Sequence, residues 1–196
     1  MKYPNHINKT YKNPLTYKNR GMDLEEELNI SNEYYLEKDI ALIFKKPTPI
    51  GVTDVSYSEK GKIIERAYFK EPSTLDYNGL YRGKYIEFEA KVTKNKTSFP
   101  LANIHNHQIL HIRRVLKHNG IVFLILKMND IVYLIKGDDF LEYIDTHNRK
   151  SIDYEFVKNV GFIIRYGFNP PLDYLKTVNY IYFKEDIYGE KIKNCK

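Results

Sequence analysis

Lys84-Tyr85-Ile86-Glu87-Phe88-Glu89-Ala90-Lys91 alternates strictly between apolar and polar side chains. A two-residue period marks a β-strand, with Ile86, Phe88 and Ala90 on one side and Tyr85, Glu87, Glu89 and Lys91 on the other. The first side must be core. The second, read alone, describes an exposed antiparallel face with cross-strand ion pairs as well as it describes a working surface. Just upstream, Asp76-Tyr77-Asn78-Gly79 reads as a turn. Folding residues 76–82 back on 84–92 through Arg82-Gly83 brings the Asp76 and Glu89 carboxylates together, with Lys91 on the same face.

Working outward toward the carboxyl terminus, Thr93–Pro100 is a polar, Lys-rich loop, and the spacing predicts a helix from Ile104 to Asn119, ended by Asn119-Gly120. Buried strands follow at Gly120–Met128 and Ile131–Ile135, turned by Asn129-Asp130. Helical stretches are expected around 138–146 and 152–158, then a strand Phe162–Tyr166. Pro170-Pro171 precedes an amphipathic helix Leu172–Phe183. In the other direction, residues 50–70 read as a hairpin, with a tip at Ser58-Glu59-Lys60-Gly61. Ile40–Phe44 is a short buried strand stopped by Lys45-Lys46-Pro47-Thr48-Pro49. A helix from Asn19 to about Lys38 places Leu24, Leu28, Ser31 and Tyr35 on one face, and its acidic first turns suit the helix dipole. The elements compose an α/β (α+β) fold, a central mixed sheet flanked by helices. Residues 1–18 form a basic, flexible arm, 19–184 a single domain with a hairpin at about 50–70, and 185–196 a tail.

Composition narrows the classes. The chain has 196 residues, of which 42% are hydrophobic and 14% aromatic, enough for a real core. No apolar run reaches the ~20 residues of a membrane span, and the amino terminus lacks a signal peptide's apolar stretch, so a cytoplasmic protein with no membrane partner is expected. The one cysteine, Cys195, allows neither an internal disulfide nor a Cys-rich zinc site. In that compartment the Asn8, Asn29 and Asn95 glycosylation triplets are chance matches. Lys and Arg total 31 against 25 Asp and Glu, a net charge of +6. That excess favours a polyanion such as nucleic acid, although a Lys-, Asn-, Ile- and Tyr-rich chain from an AT-rich genome would carry it without one.

Two carboxylates at the end of a hairpin, with a lysine two residues after the second, suit a hard cation such as Mg²⁺. The cation offsets the repulsion between carboxylates and can polarise a phosphate oxygen or activate water, while Lys91 orients that water or steadies charge on phosphorus. Asp76, twelve intervening residues, then Glu89-Ala90-Lys91 follows the logic of the PD-(D/E)xK nucleases, a pattern that also arises by chance. Gln108 joins Ile104, Ile112 and Val115 on an apolar helix face, where an amide needs polar company. It could reach the same site, or be a boundary glutamine bonded to backbone. His107 and His111 are four residues apart beside His105, but nothing completes a zinc pattern. A nucleic-acid-facing or solvated helix edge reads better. Candidate nucleic-acid contacts are Lys45 and Lys46, Lys60, Lys62 and Arg66 on the hairpin, Lys94 and Lys96 in the loop, and Arg113 and Arg114 on the helix. Each equally fits a solvated face. Phe99 could stack on a base or anchor its own loop.

Several strings coincide, in order, with one family. Asn19-Arg20-Gly21-Met22 followed by Leu24-Glu25, Lys45-Lys46-Pro47-Thr48-Pro49, Ala67-Tyr68-Phe69-Lys70, Asp76-Tyr77-Asn78-Gly79, Phe88-Glu89-Ala90-Lys91, Lys94-Asn95-Lys96-Thr97-Ser98-Phe99-Pro100-Leu101 and His107-Gln108 resemble the RecU Holliday junction resolvases, as do Lys150-Ser151-Ile152 and Asp173-Tyr174. The resemblance spans roughly residues 17–180. It implies a homodimeric endonuclease, dependent on Mg²⁺ or Mn²⁺, that cuts opposed strands of four-way DNA junctions in recombination, repair and chromosome segregation, with a recombinase protein as a possible partner. It implies a PD-(D/E)xK, restriction-endonuclease-like core with Asp76 and Glu89 as metal ligands and Lys91 as the catalytic lysine. Gln108 and Glu25 match positions near the site, Gln108 as a candidate ligand, and the hairpin after Pro49 matches a projecting stalk that enters the junction. Leu75 stands where the family usually has Thr, and Gly51 where Gln is common. The alternatives are a non-catalytic protein that binds branched DNA or regulates a recombinase, and a restriction-type nuclease cutting linear duplex.

Overall fold

Apolar spacing in both helices and strands decides how the layers stack. The computed structural model describes residues 23–58, 61–70 and 74–184. The arm 1–18, the expected first turn 19–22, Lys60, and the tail 185–196 lie outside the described residues. The elements in chain order are α1 (Leu24–Glu37), β1 (Leu42–Lys45), β2 (Ile50–Ser58), β3 (Gly61–Phe69), β4 (Tyr77–Tyr81), β5 (Lys84–Thr93), β6 (Ser98–Pro100) and α2 (Asn106–Lys117), followed by β7 (Ile121–Met128), β8 (Ile131–Lys136), α3 (Gly137–Thr146), β9 (Ser151–Asp153), α4 (Tyr154–Val160), β10 (Phe162–Ile164) and α5 (Tyr174–Tyr182).

Six strands form the central sheet in the order β1-β4-β5-β7-β8-β10. Among the described residues only the β5–β7 pair is parallel, and α2 lies in the crossover between them. The other pairs are antiparallel, so the sheet is mixed, as the sequence implies.

Two apolar layers sandwich this sheet. On one face Leu24 and Leu28 of α1 and Tyr174, Leu175 and Val178 of α5 pack on Ile86, Phe88, Phe123 and Ile125. On the other, Ile112 and Val115 of α2, Phe140 of α3 and Val157 of α4 pack on Val122, Leu124, Leu126 and Ile135. Along β5 the alternation therefore sends Ile86 and Phe88 to the first layer and Glu87 and Glu89 toward α2. Both glutamates are fully buried, so the polar side of β5 is not an exposed strand face.

Three stretches depart from the sequence reading. The strand expected to be buried at Ile40–Phe44 is β1 at the edge of the sheet, where Ile43 is buried while Leu42 and Phe44 are exposed. Residues 76–79 are not a turn: Tyr77 opens β4, is fully buried, and stacks on Phe88 at 4.7 Å between ring centres. Gly79 is there for close packing, since a Cβ on it would fall 1.9 Å from the Leu42 carbonyl oxygen of β1. The reversal comes at Arg82 (φ 50°) and Gly83 (φ 74°), a two-residue hairpin loop of the left-handed kind. Expected helix 152–158 begins instead with β9, which pairs with β6 and closes Phe99 underneath. The segment 50–70 is a hairpin as expected. Among the described residues β2 and β3 pair only with each other, and every described residue of β3 is exposed. Among the described residues no helix is long and apolar enough to cross a membrane.

Candidate active site

The β4–β5 hairpin register puts Tyr77 opposite Phe88, so Asp76 leaves β4 beside Glu89. The Asp76 amide donates to Glu89 Oε2 at 3.1 Å. Lys91, one pleat further along β5, reaches back, pairing with Glu89 Oε1 and lying 3.9 Å from Asp76 Oδ2. From the facing helix, Gln108 Nε2 donates to Glu89 Oε1 at 2.6 Å. Asp76, Glu89, Lys91 and Gln108, which the sequence marks from separate segments, thus converge between β5 and the first turn of α2.

Burial pushes the Glu89 carboxyl up to about 7, and the neighbouring Asp76 charge pushes the same way, against Lys91 and Gln108. Glu89 is therefore held in a place where its charge is poorly compensated. A cation shared with Asp76 would relieve both causes. The donor chemistry fits Mg²⁺, which takes one or two carboxylates and keeps waters or phosphate oxygens in its other positions. Among the described residues no group of three or more His, Cys, Asp or Glu gathers to hold a metal.

Other candidates fall elsewhere. Glu25 pairs with Lys45 at the rim, where Lys45 stands opposite Tyr77 in the β1–β4 register. Lys46 turns inward to the buried Glu87. On the ribbon, Lys62 lies over the Tyr57 ring at 5.5 Å and Arg66 is exposed. Lys94 and Lys96 are exposed in the loop before β6, and Arg114 is exposed on the last turn of α2. Arg113 grips Asp145 of α3 through both guanidinium nitrogens, at 3.0 and 2.5 Å. Phe99 is 1% exposed in the α2-side layer, which makes it the anchor of its loop and removes it as a base-stacking residue. Leu75 is buried in the same layer, and Gly51 stands opposite Tyr68 in the ribbon.

One feature escaped the sequence reading. Glu87 accepts from Tyr85 Oη at 2.8 Å and from the Leu75 amide at 3.2 Å, contacts His111 Nε2 at 2.7 Å, and pairs with Lys46. Burial raises its carboxyl, but Lys46, His111 and Tyr85 outweigh this and hold it below the usual range. His111 is accordingly neither a solvated edge nor a nucleic-acid-facing group; it is half-buried against Glu87. The signals were available: Glu87 shares the Glu89 face of the strand, and His111 follows Gln108 by one helical turn.

The chain matches a family model described as RecU, Recombination protein U, over residues 19–180. Curated relatives named Holliday junction resolvase RecU, from Bacillus thuringiensis (strain Al Hakam) and Bacillus cereus (strain AH820), are each 46% identical over 197 aligned positions, covering 93% of this chain and 98% of the relative. A solved structure of Archaeoglobus fulgidus Hjc, described as a Holliday junction resolvase from an archaeal hyperthermophile, overlaps 64% of this chain and 85% of its own, at 9% identity and a TM-score of 0.36.

Proposed function

This chain belongs to the RecU family, and from that premise we propose that it is a structure-selective endonuclease that resolves four-way DNA junctions by metal-assisted hydrolysis of phosphodiesters. The observation that carries this reading is the convergence of Asp76, Glu89, Lys91 and Gln108 on one buried edge of β5. Named relatives nearly half identical over their whole length support the choice of a junction over other DNA.

Asp76 and Glu89 would hold a divalent cation, Mg²⁺ or Mn²⁺. When bound, it supplies Lewis-acid polarisation of a phosphate oxygen and activation of a water. Gln108 fixes the Glu89 carboxylate: its NH₂ faces Glu89 while its oxygen accepts from the His105 amide at 2.9 Å. It could lend that oxygen as a ligand only by turning over and releasing His105. Lys91, which screens the two carboxylates here, would put its ammonium where negative charge develops on phosphorus. Glu25, held at the rim by Lys45, would border the DNA path.

Residues 19–184 would act as one nuclease domain in the cytoplasm, with a recombinase protein as a further partner. Two copies related by a two-fold axis would match the near-two-fold symmetry of the junction and make paired cuts. The exposed ribbon of β2 and β3 would enter the junction centre. The lysines and arginines on the ribbon, the 93–100 loop and α2 would meet phosphates. The test offers purified protein and Mg²⁺ both a synthetic four-way junction and a linear duplex of matched sequence. Paired nicks in the junction support the reading, tight binding without cutting under any divalent metal favours a branched-DNA-binding protein, and equal cutting of both favours a restriction-type nuclease.

A further inference from the structure

Asp76 lies one residue before β4, where the β1–β4 pairing ends in a last backbone bond between Lys46 and Asp76, so a few contacts at the end of the ladder must set its position. Three backbone contacts do so. The Leu75 amide donates to Glu87, the Asp76 amide donates to Glu89, and the Asp76 carbonyl accepts from the Lys46 amide at 2.8 Å. The first is made by Glu87 itself, and the residue that supplies the third, Lys46, pairs its side chain with Glu87. Glu87 is fully buried and its two oxygens serve four partners: Lys46 and the Leu75 amide on one, Tyr85 and His111 on the other. That is about all a carboxylate can accept. A buried carboxylate so fully engaged has one geometry available to it, and it passes that geometry to whatever it holds.

We propose that Glu87 is a positioning residue for the cleavage site: it clamps the Leu75–Asp76 segment against β5 so that the Asp76 carboxylate stands beside Glu89, and through Lys46 it ties that segment to the root of the β2–β3 ribbon. The ribbon's base is closed by the Lys70 amide donating to the Pro49 carbonyl at 2.9 Å, three residues beyond Lys46. A displacement of the ribbon root would therefore act, through Lys46, on the side chain that holds the Leu75 amide next to Asp76. His111 completes the clamp from α2, one turn after Gln108 holds Glu89, so one helix face braces both glutamates. Lys46 belongs to this clamp as a counter-charge to Glu87, and its side chain is half-buried accordingly.

This inference rests on the junction-cleaving reading, and the test separates the two. Glu87→Gln, Lys46→Met, Lys46→Arg and the Glu87→Gln/Lys46→Met double variant are compared with wild type. The readouts are cleavage rate at saturating four-way junction, KM, and Mn²⁺ affinity by calorimetry without DNA. Glu87→Gln and Lys46→Met should each lower the saturated rate by about 10–100-fold, as loss of a ligand's support typically does, and weaken Mn²⁺ binding several-fold. KM should stay within about threefold. Lys46→Arg should restore the rate, and the double variant should be no slower than the slower single, since both act through one clamp. Wild-type rate and Mn²⁺ affinity in folded Glu87→Gln would overturn the proposal, as would multiplying effects in the double variant. Should Glu87→Gln not fold, Lys46→Met decides alone: a loss confined to KM makes Lys46 a phosphate contact and sinks the clamp. If wild type cuts no substrate, the functional reading fails, while Mn²⁺ affinity still judges Glu87.

Discussion

Gln108 and Glu89 are joined by a 2.6 Å hydrogen bond that runs from the first turn of α2 to the middle of the central sheet. The same amide caps its own helix, because Gln108 Oε1 accepts from the His105 N–H as the third residue of the helix commonly does. One side chain therefore sets both where α2 starts and which way the Glu89 carboxylate points.

Replacing Gln108 by Ala should cost both. Loss of the cap is worth about 1 kcal/mol, or a Tm drop of roughly 2–4 °C for a chain of this size. Loss of the Glu89 contact should slow junction cleavage by about tenfold or more. A variant with the full Tm drop and unchanged cleavage would reduce Gln108 to a helix cap.

Glu89 makes the metal-free protein pH-sensitive in a definite direction. Its carboxyl is raised to about 7 in the fold, by burial first and by Asp76 second. The folded state thus binds more protons than the unfolded chain between about pH 4.5 and 7, and stability from this group falls as pH rises through that window. Glu89→Gln removes the loss. In EDTA its Tm should exceed wild type at pH 8, and the gap should shrink toward pH 5. A gap that is absent or reversed at pH 8 would contradict the unrelieved charge assigned to Glu89.

Lys91→Ala should lower turnover more than it lowers metal affinity, because the ammonium is proposed to act at the phosphate and the water. The check is the cleavage rate across a Mg²⁺ titration. Full recovery at high Mg²⁺ would make Lys91 a tuner of the two carboxylates it screens at rest.

The ribbon is predicted to choose the substrate. Tyr57 pairs with Lys62, and Ser56 with Ile63, so replacing residues 57–62 by Asn-Gly joins the strands through a two-residue turn in the existing register. The trimmed protein should lose junction-over-duplex preference in a competition gel shift at physiological salt. Full preference in the folded, trimmed protein would assign branch recognition elsewhere.

What could be read without coordinates follows from period and spacing. The alternation at 84–91 located β5 and its two faces, and the Arg82-Gly83 reversal brought Asp76 to Glu89 as the register now shows. The sequence could not tell that the polar face of β5 lies beneath α2, because alternation looks the same on an open strand and on one whose polar side is covered by a helix. The sequence therefore gives Glu87 no role beyond the polar face, and lets His111 read as a nucleic-acid-facing or solvated helix edge. Asp76–Gly79 misled because Asp, Asn and Gly are turn formers, while the requirement here is close packing of Gly79 on β1. Phe99 reads in the sequence as either a stacking residue or the anchor of its loop, and the β6–β9 pair, a contact between distant segments, decides for the anchor.

The most direct test concerns the two carboxylates themselves. Asp76→Ala and Glu89→Ala are compared with wild type for cleavage of a four-way junction in Mg²⁺ and for junction binding in EDTA. Neither side chain is proposed as a phosphate contact, so both variants should bind the junction within a few-fold of wild type and make no detectable nicks. Cutting at the wild-type rate by either variant would contradict the assignment of the site to Asp76 and Glu89.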